Sequence, residues 1–520
     1  MKYIELFAGC GGLSLGLQSI GFENLMASEL SPMAAKTYAY NFHQEDLTDP
    51  LYVSKLQPST VWLSSAFPRS EINRRFRENP SESLPFDSDQ CFSDTRDLGS
   101  LRGKLVVGNI KELNRLLSSK PELVESINDA DLVSGGPPCQ SFSMAGLREL
   151  SNNRNTLPWD FIQFVSHTQP KLTLLENVSG ILKPFKKDGK PYYAWLEIAK
   201  GFASIGYIPL CLHVNARLTG VAQTRQRFIL IAFRSDFFNS IYPKLNESEV
   251  SILNPSKEFF THINSCVDGN DFNLEVHNLT NQIDPIYQST LLAPLFQNQH
   301  LSFSVKDAID DLSNPMDEPS LYADFINKTL SIPTMSNQPE IANHAYRVNT
   351  HIVKRRFRIY QVLSHVDPSV KNEVIKMLRG TINELPLNYL EQLLDYDFLL
   401  HSDSLGKLPS TSALNKYLKE HLTKKNSQKA LIADKPAPSA LSIPDDICHY
   451  DKNHLRTLTV REMARIQSFP DDFVFKSKIT TGGKNRRFEV PQYTQVGNAI
   501  PPILGSALGR VIKNILEKQG

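Results

Sequence analysis

Short apolar runs punctuated by Gly, Asn and Pro alternate with stretches of helical period along the first half of the chain. The first run is Tyr3-Ile-Glu-Leu-Phe7, followed by Ala8-Gly-Cys-Gly-Gly12 and an apolar-periodic helix expected from Leu13 through Ile20. A second apolar stretch ends at Ala27-Ser-Glu29, and a third strand is expected over Lys104-Leu-Val-Val-Gly-Asn-Ile110. Ala130-Asp-Leu-Val133, Pro170-Lys-Leu-Thr-Leu-Leu175 and Phe228-Ile-Leu-Ile-Ala-Phe233 read as buried strands, with a helix around Phe161–Val165. Strand, Gly-rich turn and helix is how a doubly wound, mostly parallel α/β sheet cradles a nucleotide-like ligand. Near the C-terminus Thr459 and Glu462 have capping-box spacing, which predicts a helix from Val460 to about Ser468 that stops before Pro470. A final helix is expected over Ile503–Lys518.

Two intervals break this pattern. Residues 45–103 are rich in Ser, Pro, Asp and Arg and read as an insertion on the sheet's edge, with a small packed contact at Trp62, Leu63 and Phe67. From about 236 to 450, Asn, Ser, Leu and Pro dominate and no repeat of fixed period is present. Amphipathic helices are expected there at Val370–Leu378 and Leu387–Leu394, the second preceded by Pro386.

The candidate chemistry sits at strand ends. Ser134-Gly-Gly-Pro-Pro-Cys-Gln-Ser-Phe-Ser143 places Cys139 on a loop stiffened by two prolines. A thiol so held can act as a nucleophile, although an isolated Pro-Pro-Cys is more often a buried structural cysteine. Glu29 lies about where an acid accepts hydrogen bonds from ribose hydroxyls in such folds. Glu176, in Glu176-Asn-Val178, ends a strand and is aimed into the ligand crevice. Gln223-Thr-Arg225-Gln-Arg227 opens another strand, with two arginines at i and i+2 on one face. One can hold a base's carbonyl oxygen and the other a phosphate or carboxylate.

In this order, these motifs resemble those of the cytosine-5 DNA methyltransferases. The resemblance rests on Phe7-Ala-Gly-Cys-Gly11, Tyr38-Ala-Tyr-Asn-Phe42, the Pro-Pro-Cys139 loop, Glu176-Asn-Val178, Gln223-Thr-Arg225-Gln-Arg227, Arg456–Phe473 and Gln495-Val-Gly-Asn498-Ala-Ile-Pro-Pro502. It covers residues 1–44, 104–235 and 451–520. It implies a Rossmann-like methyltransferase domain with a second, smaller target-recognition domain. The expected boundaries are 1–235 for the catalytic domain, 236–489 for target recognition and 490–520 for a helix returning to the catalytic domain.

The resemblance further implies S-adenosyl-L-methionine as cofactor, held by Phe7, Ala8, Gly9, Gly11, Gly12, Leu13, Glu29, Leu30, Asn109, Ile110, Pro138, Leu157 and Asn498. The family usually has Asp at position 109, where Asn keeps a carbonyl acceptor. Cys139, Glu176, Arg225 and Arg227 are implied as catalytic, and Gln140, Ser141 and Gln223 as contacts to the substrate, a cytosine in double-stranded DNA. A cognate restriction endonuclease is the implied functional partner, and the enzyme is expected to act as a monomer.

Composition narrows the alternatives. The chain has 520 residues, 41% hydrophobic and 21% charged, with net charge +1. Any basic footprint for DNA must therefore be local, at His351–Tyr360, Lys424–Lys429 or Lys484–Phe488, and the interleaved aromatics of the first also fit a helix packing Phe357 and Tyr360 inward. No apolar run is long enough to cross a bilayer, and the first residues enter a core strand directly, so a cytoplasmic enzyme without membrane attachment is expected. The six cysteines form no CxxC pair, which argues against a zinc site or a disulfide framework, and no metal is expected. A tRNA cytosine-5 methyltransferase would carry a short recognition segment with Cys-Phe-Thr, which is absent here. A DNA-binding regulator on a decayed scaffold is disfavoured by the intact Cys139, Glu176, Gln223, Arg225 and Arg227. A nicotinamide oxidoreductase would need GxGxxG after the first strand.

Overall fold

The structure is a computed structural model that describes residues 1–82, 84–138, 156–187, 190–265, 274–281, 284–313, 318–331, 341–425, 428–439 and 447–519. Cys139, Gln140 and Ser141 lie outside the described residues.

One large sheet organises the chain. Its strands are β1 (Lys2–Leu6), β2 (Glu23–Glu29), β3 (Thr60–Trp62), β4 (Lys104–Val107), β5 (Leu132–Gly135), β6 (Leu172–Val178), β7 (Tyr207–Asn215), β8 (Gln226–Arg234) and β9 (Val276–Leu279). Their spatial order is β9-β7-β8-β6-β5-β1-β2-β4-β3. Every pairing is parallel except those of β8, which runs antiparallel to both β6 and β7. From β1 the chain winds outward through β2 and then returns to place β5 on the other side. The crevice at the carboxyl ends of β1 and β5 is therefore the topological switch point, where such sheets bind ligands.

Alternating side chains along each strand feed two helical layers. On β8, Ile229, Ile231 and Phe233 enter one core, while Phe228, Leu230 and Ala232 enter the other. Burying each large apolar side chain contributes about 1.5–3 kcal/mol. The first layer is closed by the helix Gly12–Gln18 packed on the long C-terminal helix Pro502–Glu517. Gly16 permits this approach, since a Cβ there would lie 2.4 Å from the Ser506 backbone nitrogen. The C-terminal helix thus spans nearly the residues expected from the sequence.

Three features differ from the sequence reading. First, the 45–103 insertion adds a strand. Thr60–Trp62 pairs in parallel with β4 at the sheet edge, so Lys104–Val107 is the fourth strand in chain order, not the third. Second, the catalytic layer does not end at residue 235. The helix Glu247–Asn264 lends Ile252, Leu253 and Phe259 to the cores on the sheet's two faces, and β9 joins the sheet beside β7. Third, the basic stretch 351–360 is largely internal. Arg355 and Arg358 are buried and donate to the carbonyls of Leu399 and Asp397 instead of forming a DNA-facing patch, while Phe357 and Tyr360 pack inward as their interleaving suggests. Periodicity alone could not separate a cationic face from arginines that snorkel to backbone carbonyls.

A separate apolar cluster lies between residues 357 and 448. It is built mainly by the helices His351–Leu363, Pro368–Leu378, Leu387–Leu393 and Thr411–Lys419. The two expected helices of this region are present, the second with Pro386 at its N-cap. The helix Val460–Ile466 links this module to the sheet domain. Its capping box is formed, with Glu462 N donating to Thr459 Oγ1 at 3.1 Å and Thr459 N donating to Glu462 Oε2 at 2.7 Å. The helix ends two residues earlier than expected, because Ser468 turns left-handed (φ 64°). Buried Arg461 then holds the carbonyls of Ala342, Pro470 and Phe473, and Arg465 pairs with Asp311 and Asp471.

Candidate active site

A cavity of about 630 Å³ opens at the carboxyl edge of the sheet, centred on the switch point. Its floor is the turn after β1. Phe7 takes a left-handed conformation there (φ 55°), a strained geometry of the sort that persists at ligand-binding turns. The turn is tied to β2, since Ala8 N donates to the Ser28 carbonyl at 2.9 Å and Gly9 N to Glu29 Oε2 at 2.8 Å. Glu29 Oε1 accepts from Ser31 N at 2.7 Å. Each Glu29 oxygen thus spends one lone pair on the backbone and keeps another for a ligand. Burial pushes the Glu29 carboxyl up, opposed by these backbone donors.

Phe7, Ala8, Gly9, Gly12, Leu13, Glu29, Leu30, Asn109, Ile110, Pro138, Leu157, Glu176 and Asn498 all line this one cavity. Gly11 does not. It sits at the N-cap of the first helix with φ 94°, and a Cβ there would meet the Phe42 ring at 2.2 Å. Its left-handed backbone turns the chain into the first helix. Asn109 also does more than expected: its Oδ1 accepts from Lys111 N at 3.0 Å, capping the helix Ile110–Ser119. The carbonyl expected to face a ligand thus spends one lone pair on the helix and keeps a second.

At the other end of the cavity, Glu176 lies two residues before the end of β6. Arg227 Nε lies 2.6 Å from Glu176 Oε1, and both side chains are largely buried. Asn177, next to Glu176, donates to the Pro137 carbonyl at 3.1 Å and so fixes the start of the loop that leads to Cys139. Arg225 departs from its expected use. It is buried, and its Nη2 donates to the carbonyls of Gly497 at 2.8 Å and Ala499 at 3.1 Å, holding the backbone on both sides of Asn498. The two arginines at i and i+2 thus serve different partners. Gln223 is fully buried, and neither its Nε2 nor its Oε1 finds a hydrogen-bond partner among the described residues.

Several lining residues were not expected in the cofactor set. Glu5 on β1 is buried beneath the cavity and accepts from Ser14 Oγ, which also meets Tyr38 OH at 2.9 Å. Gln495 takes a hydrogen bond from Thr37 Oγ1 at 2.6 Å and donates to Met33, Lys476 and Val490 carbonyls. Pro80 and Ser81 from the insertion and Arg486–Val490 from the C-terminal segment complete the lining. Among the described residues, no group of His, Cys, Asp and Glu is arranged to hold a metal ion, and no helix is long and apolar enough to cross a membrane.

The profile of the family described as C-5 cytosine-specific DNA methylase matches residues 1–68 and 103–514. The chain belongs to this family. The methylase is 26% identical over 528 residues to "Type II methyltransferase M.DdeI" of Desulfomicrobium norvegicum, covering 99% of this chain and 89% of that protein. It is 25% identical over 515 residues to "Type II methyltransferase M1.HphI" of Haemophilus parahaemolyticus, covering 98% and 86%. It is 25% identical over 534 residues to "Type II methyltransferase M.Bpa9945I" of Bacillus paralicheniformis, covering 99% of each. The methylase is thus a DNA cytosine-5 methyltransferase with a mixed α/β, mostly parallel sheet, and methyltransferases of this kind draw on S-adenosylmethionine in general. The unmatched stretch, 69–102, falls within the 45–103 insertion.

Proposed function

We propose that the methylase modifies carbon 5 of a cytosine within a specific double-stranded DNA sequence, with the base extruded into the cavity mouth beside Glu176 and Arg227. The observation that carries this reading is the shared cavity: the Phe7–Leu13 turn, Glu29 and Asn498 line one end, and Glu176 and Pro138 line the other. A site for a methyl donor and a site for a base are thereby contiguous.

The residues present fit S-adenosylmethionine. The cavity falls in the size range of small-ligand sites, and Glu29 offers a free lone pair on each oxygen beside the strained Phe7 turn. When bound, the cofactor supplies a methyl group activated by its sulfonium. Phe7, Leu30, Ile110 and Leu157 would enclose its apolar surface, Glu29 would accept from its ribose hydroxyls, and Asn498 would bound the pocket from the C-terminal side.

The chain's own groups act on the base. Extrusion comes first, because carbon 5 is buried in a stacked duplex. Cys139, two residues after the Pro137 carbonyl that Asn177 holds, adds as thiolate to carbon 6. Glu176, carrying a proton at this step, donates to ring nitrogen 3 and Arg227 donates to the carbonyl oxygen, which stabilises the negative charge that Cys139 addition puts on the ring and makes carbon 5 nucleophilic. Carbon 5 would then take up the methyl group, the bond from methyl to the cofactor's sulfur breaking as it forms; loss of the carbon 5 proton to solvent and expulsion of the Cys139 thiolate restore the aromatic ring as 5-methylcytosine. Gln140, Ser141 and Gln223 contact the substrate around this centre. Arg225 acts at one remove, by fixing the Asn498 turn.

The type II methyltransferase relatives support a place in a restriction–modification pair, with this chain as the modifying partner of an endonuclease. We take it to work as an intracellular monomer, with the helical module reading the target sequence. Bisulfite sequencing of plasmid DNA from a methylation-free host expressing the chain tests the reading. Protected cytosines in one recurring sequence support it, and uniformly converted DNA from cells making folded protein overturns it.

A further inference from the structure

We infer that the insertion supplies part of the cofactor site, with Pro80 and Ser81 forming a wall that Glu78 holds in place and that slows cofactor release. This rests on the cavity being the S-adenosylmethionine site. Two observations carry it. Pro80 and Ser81 line the cavity itself, together with Asn109 and Lys111 at the end of β4. The backbone that carries them is not a loose excursion but is bonded stepwise to the sheet.

The steps run outward from β3. Leu63 N donates to the Val107 carbonyl at 2.8 Å, which continues the β3–β4 ladder to the cavity edge. Leu63 also packs over Gly108, where an added Cβ would lie 2.7 Å from Leu63 Cβ. Beyond it, Ser65 O accepts from Phe92 N at 2.8 Å, joining the two arms of the insertion. Glu78 then clamps the turn from the far side: its Oε1 accepts from Ala66 N and its Oε2 from Ser65 Oγ, each at 2.6 Å. Pro80 follows two residues later. Arg75 locks the same unit from below. It is 1% exposed, donates to the Phe67 carbonyl at 2.9 Å, pairs with Asp94 at 2.7 Å and lies over the Trp62 ring.

A carboxylate that takes hydrogen bonds from residues twelve and thirteen positions back fixes where the following residues lie. Here they lie in the lining of a ligand cavity. Segment 69–102 lies outside the residues that the family model matches. Its effect should be on cofactor affinity and residence and not on the chemistry at the base.

Two variants test this in the full-length enzyme. Glu78→Gln keeps the side-chain shape but replaces one accepting oxygen by a donor. The double variant P80A/S81G trims the wall and leaves the clamp. Binding of S-adenosylhomocysteine by calorimetry, its release rate by stopped flow, and KM and kcat for both substrates are read. Losing one or two such contacts corresponds to about three- to tenfold weaker binding. We expect that change in Kd and in the cofactor KM, with faster release and the effect absent from kcat at saturating cofactor. Unchanged affinity and release in folded variants overturns the inference, and so does a rise confined to the KM for DNA, which would make the insertion a DNA contact. Glu29→Ala separates the two levels. If it weakens binding and the insertion variants do not, only this inference falls; if it too has no effect, the cavity assignment falls with it.

Discussion

Arg227 reaches Glu176 diagonally across an antiparallel ladder in which Arg227 stands opposite Val178 and Ile229 opposite Glu176. The direction of β8 makes this possible. Because β8 runs against the other strands, its first residues meet the last residues of β6 at the sheet's carboxyl edge. A parallel β8 would have placed Arg227 at the opposite edge, far from the cavity. The one reversed pairing partner in the sheet therefore delivers a cation to the point where the parallel strands deliver a carboxylate.

Arg227→Ala should consequently do two kinds of damage. It removes the donor aimed at the base, for which losses of about a hundredfold or more in turnover are usual. It also leaves the Glu176 carboxylate without its partner in a largely buried place, where breaking a pair typically costs about 3–5 kcal/mol. Methyl-transfer kinetics and denaturant melts read both effects. Cofactor affinity by calorimetry should be nearly retained, because Arg227 does not line the cofactor cavity. A variant with normal turnover would remove Arg227 from the catalytic set.

Glu5 predicts a pH dependence of stability. Burial pushes its carboxyl up to about 8 from an ordinary value of 4.5, with the Ser14 hydrogen bond opposing. Between these values the folded chain holds a proton that the unfolded chain has lost, so unfolding releases protons and stability falls as pH rises. The contribution is fully present below about pH 4.5, declines up to about pH 8 and is flat above it. Comparing melts of the ligand-free enzyme with those of Glu5→Gln across this window isolates it. The difference should amount to a few kcal/mol at most. Parallel pH profiles for the two proteins would show that Glu5 is ionised throughout.

Local signals were the ones legible in the sequence. Thr459 and Glu462 are three residues apart, and their reciprocal caps need no information from elsewhere in the chain. The Phe7–Gly12 turn and the alternating faces of β8 are of the same kind. What stayed hidden depends on pairing between distant segments. Three residues, Thr60–Trp62, are too few to show a strand period, and only β4 beside them makes them a strand. Arg225 and Arg227 look equivalent at i and i+2, yet one finds the Gly497 and Ala499 carbonyls, 272 and 274 residues away, and the other finds Glu176. Arg355 and Arg358 read as a basic face because nothing in their own helix reveals the carbonyls of Leu399 and Asp397. Gly11 was legible as a glycine of the turn, but that the Phe42 ring leaves no room for a Cβ there depends on a residue thirty-one positions away.

The fold also changes where specificity can be exchanged. β9 and the helix Glu247–Asn264 are built into the catalytic layer, whereas the cluster around Phe357, Val374, Leu393 and Leu414 forms its own core. Replacing 351–425 with the corresponding module of a relative that has another target should move the methylated sequence and leave 5-methylcytosine as the product. A replacement beginning at 236 would remove an edge strand and should give insoluble or unstable protein. Methylation mapping and solubility distinguish the two. An unchanged target in the first chimera would place recognition outside the helical module.

The nucleophile can be tested without reference to any of these boundaries. If Cys139 adds to carbon 6, release requires removal of a proton from carbon 5. Fluorine at that carbon cannot leave as a cation, so the covalent adduct persists. Duplex DNA carrying 5-fluorocytosine at the target, incubated with enzyme and S-adenosylmethionine, should yield a protein–DNA conjugate that survives denaturation. Cys139→Ser should yield none, because a neutral hydroxyl is a far weaker nucleophile than a thiolate, and should still bind the duplex. Cys10 provides an internal control: it lines the cavity, but burial pushes its thiol well above the ordinary range and keeps it protonated. Peptide mapping of the conjugate should therefore find the base on the Cys139 peptide. A conjugate on Cys10, or one that forms equally well with Cys139→Ser, would overturn the mechanism.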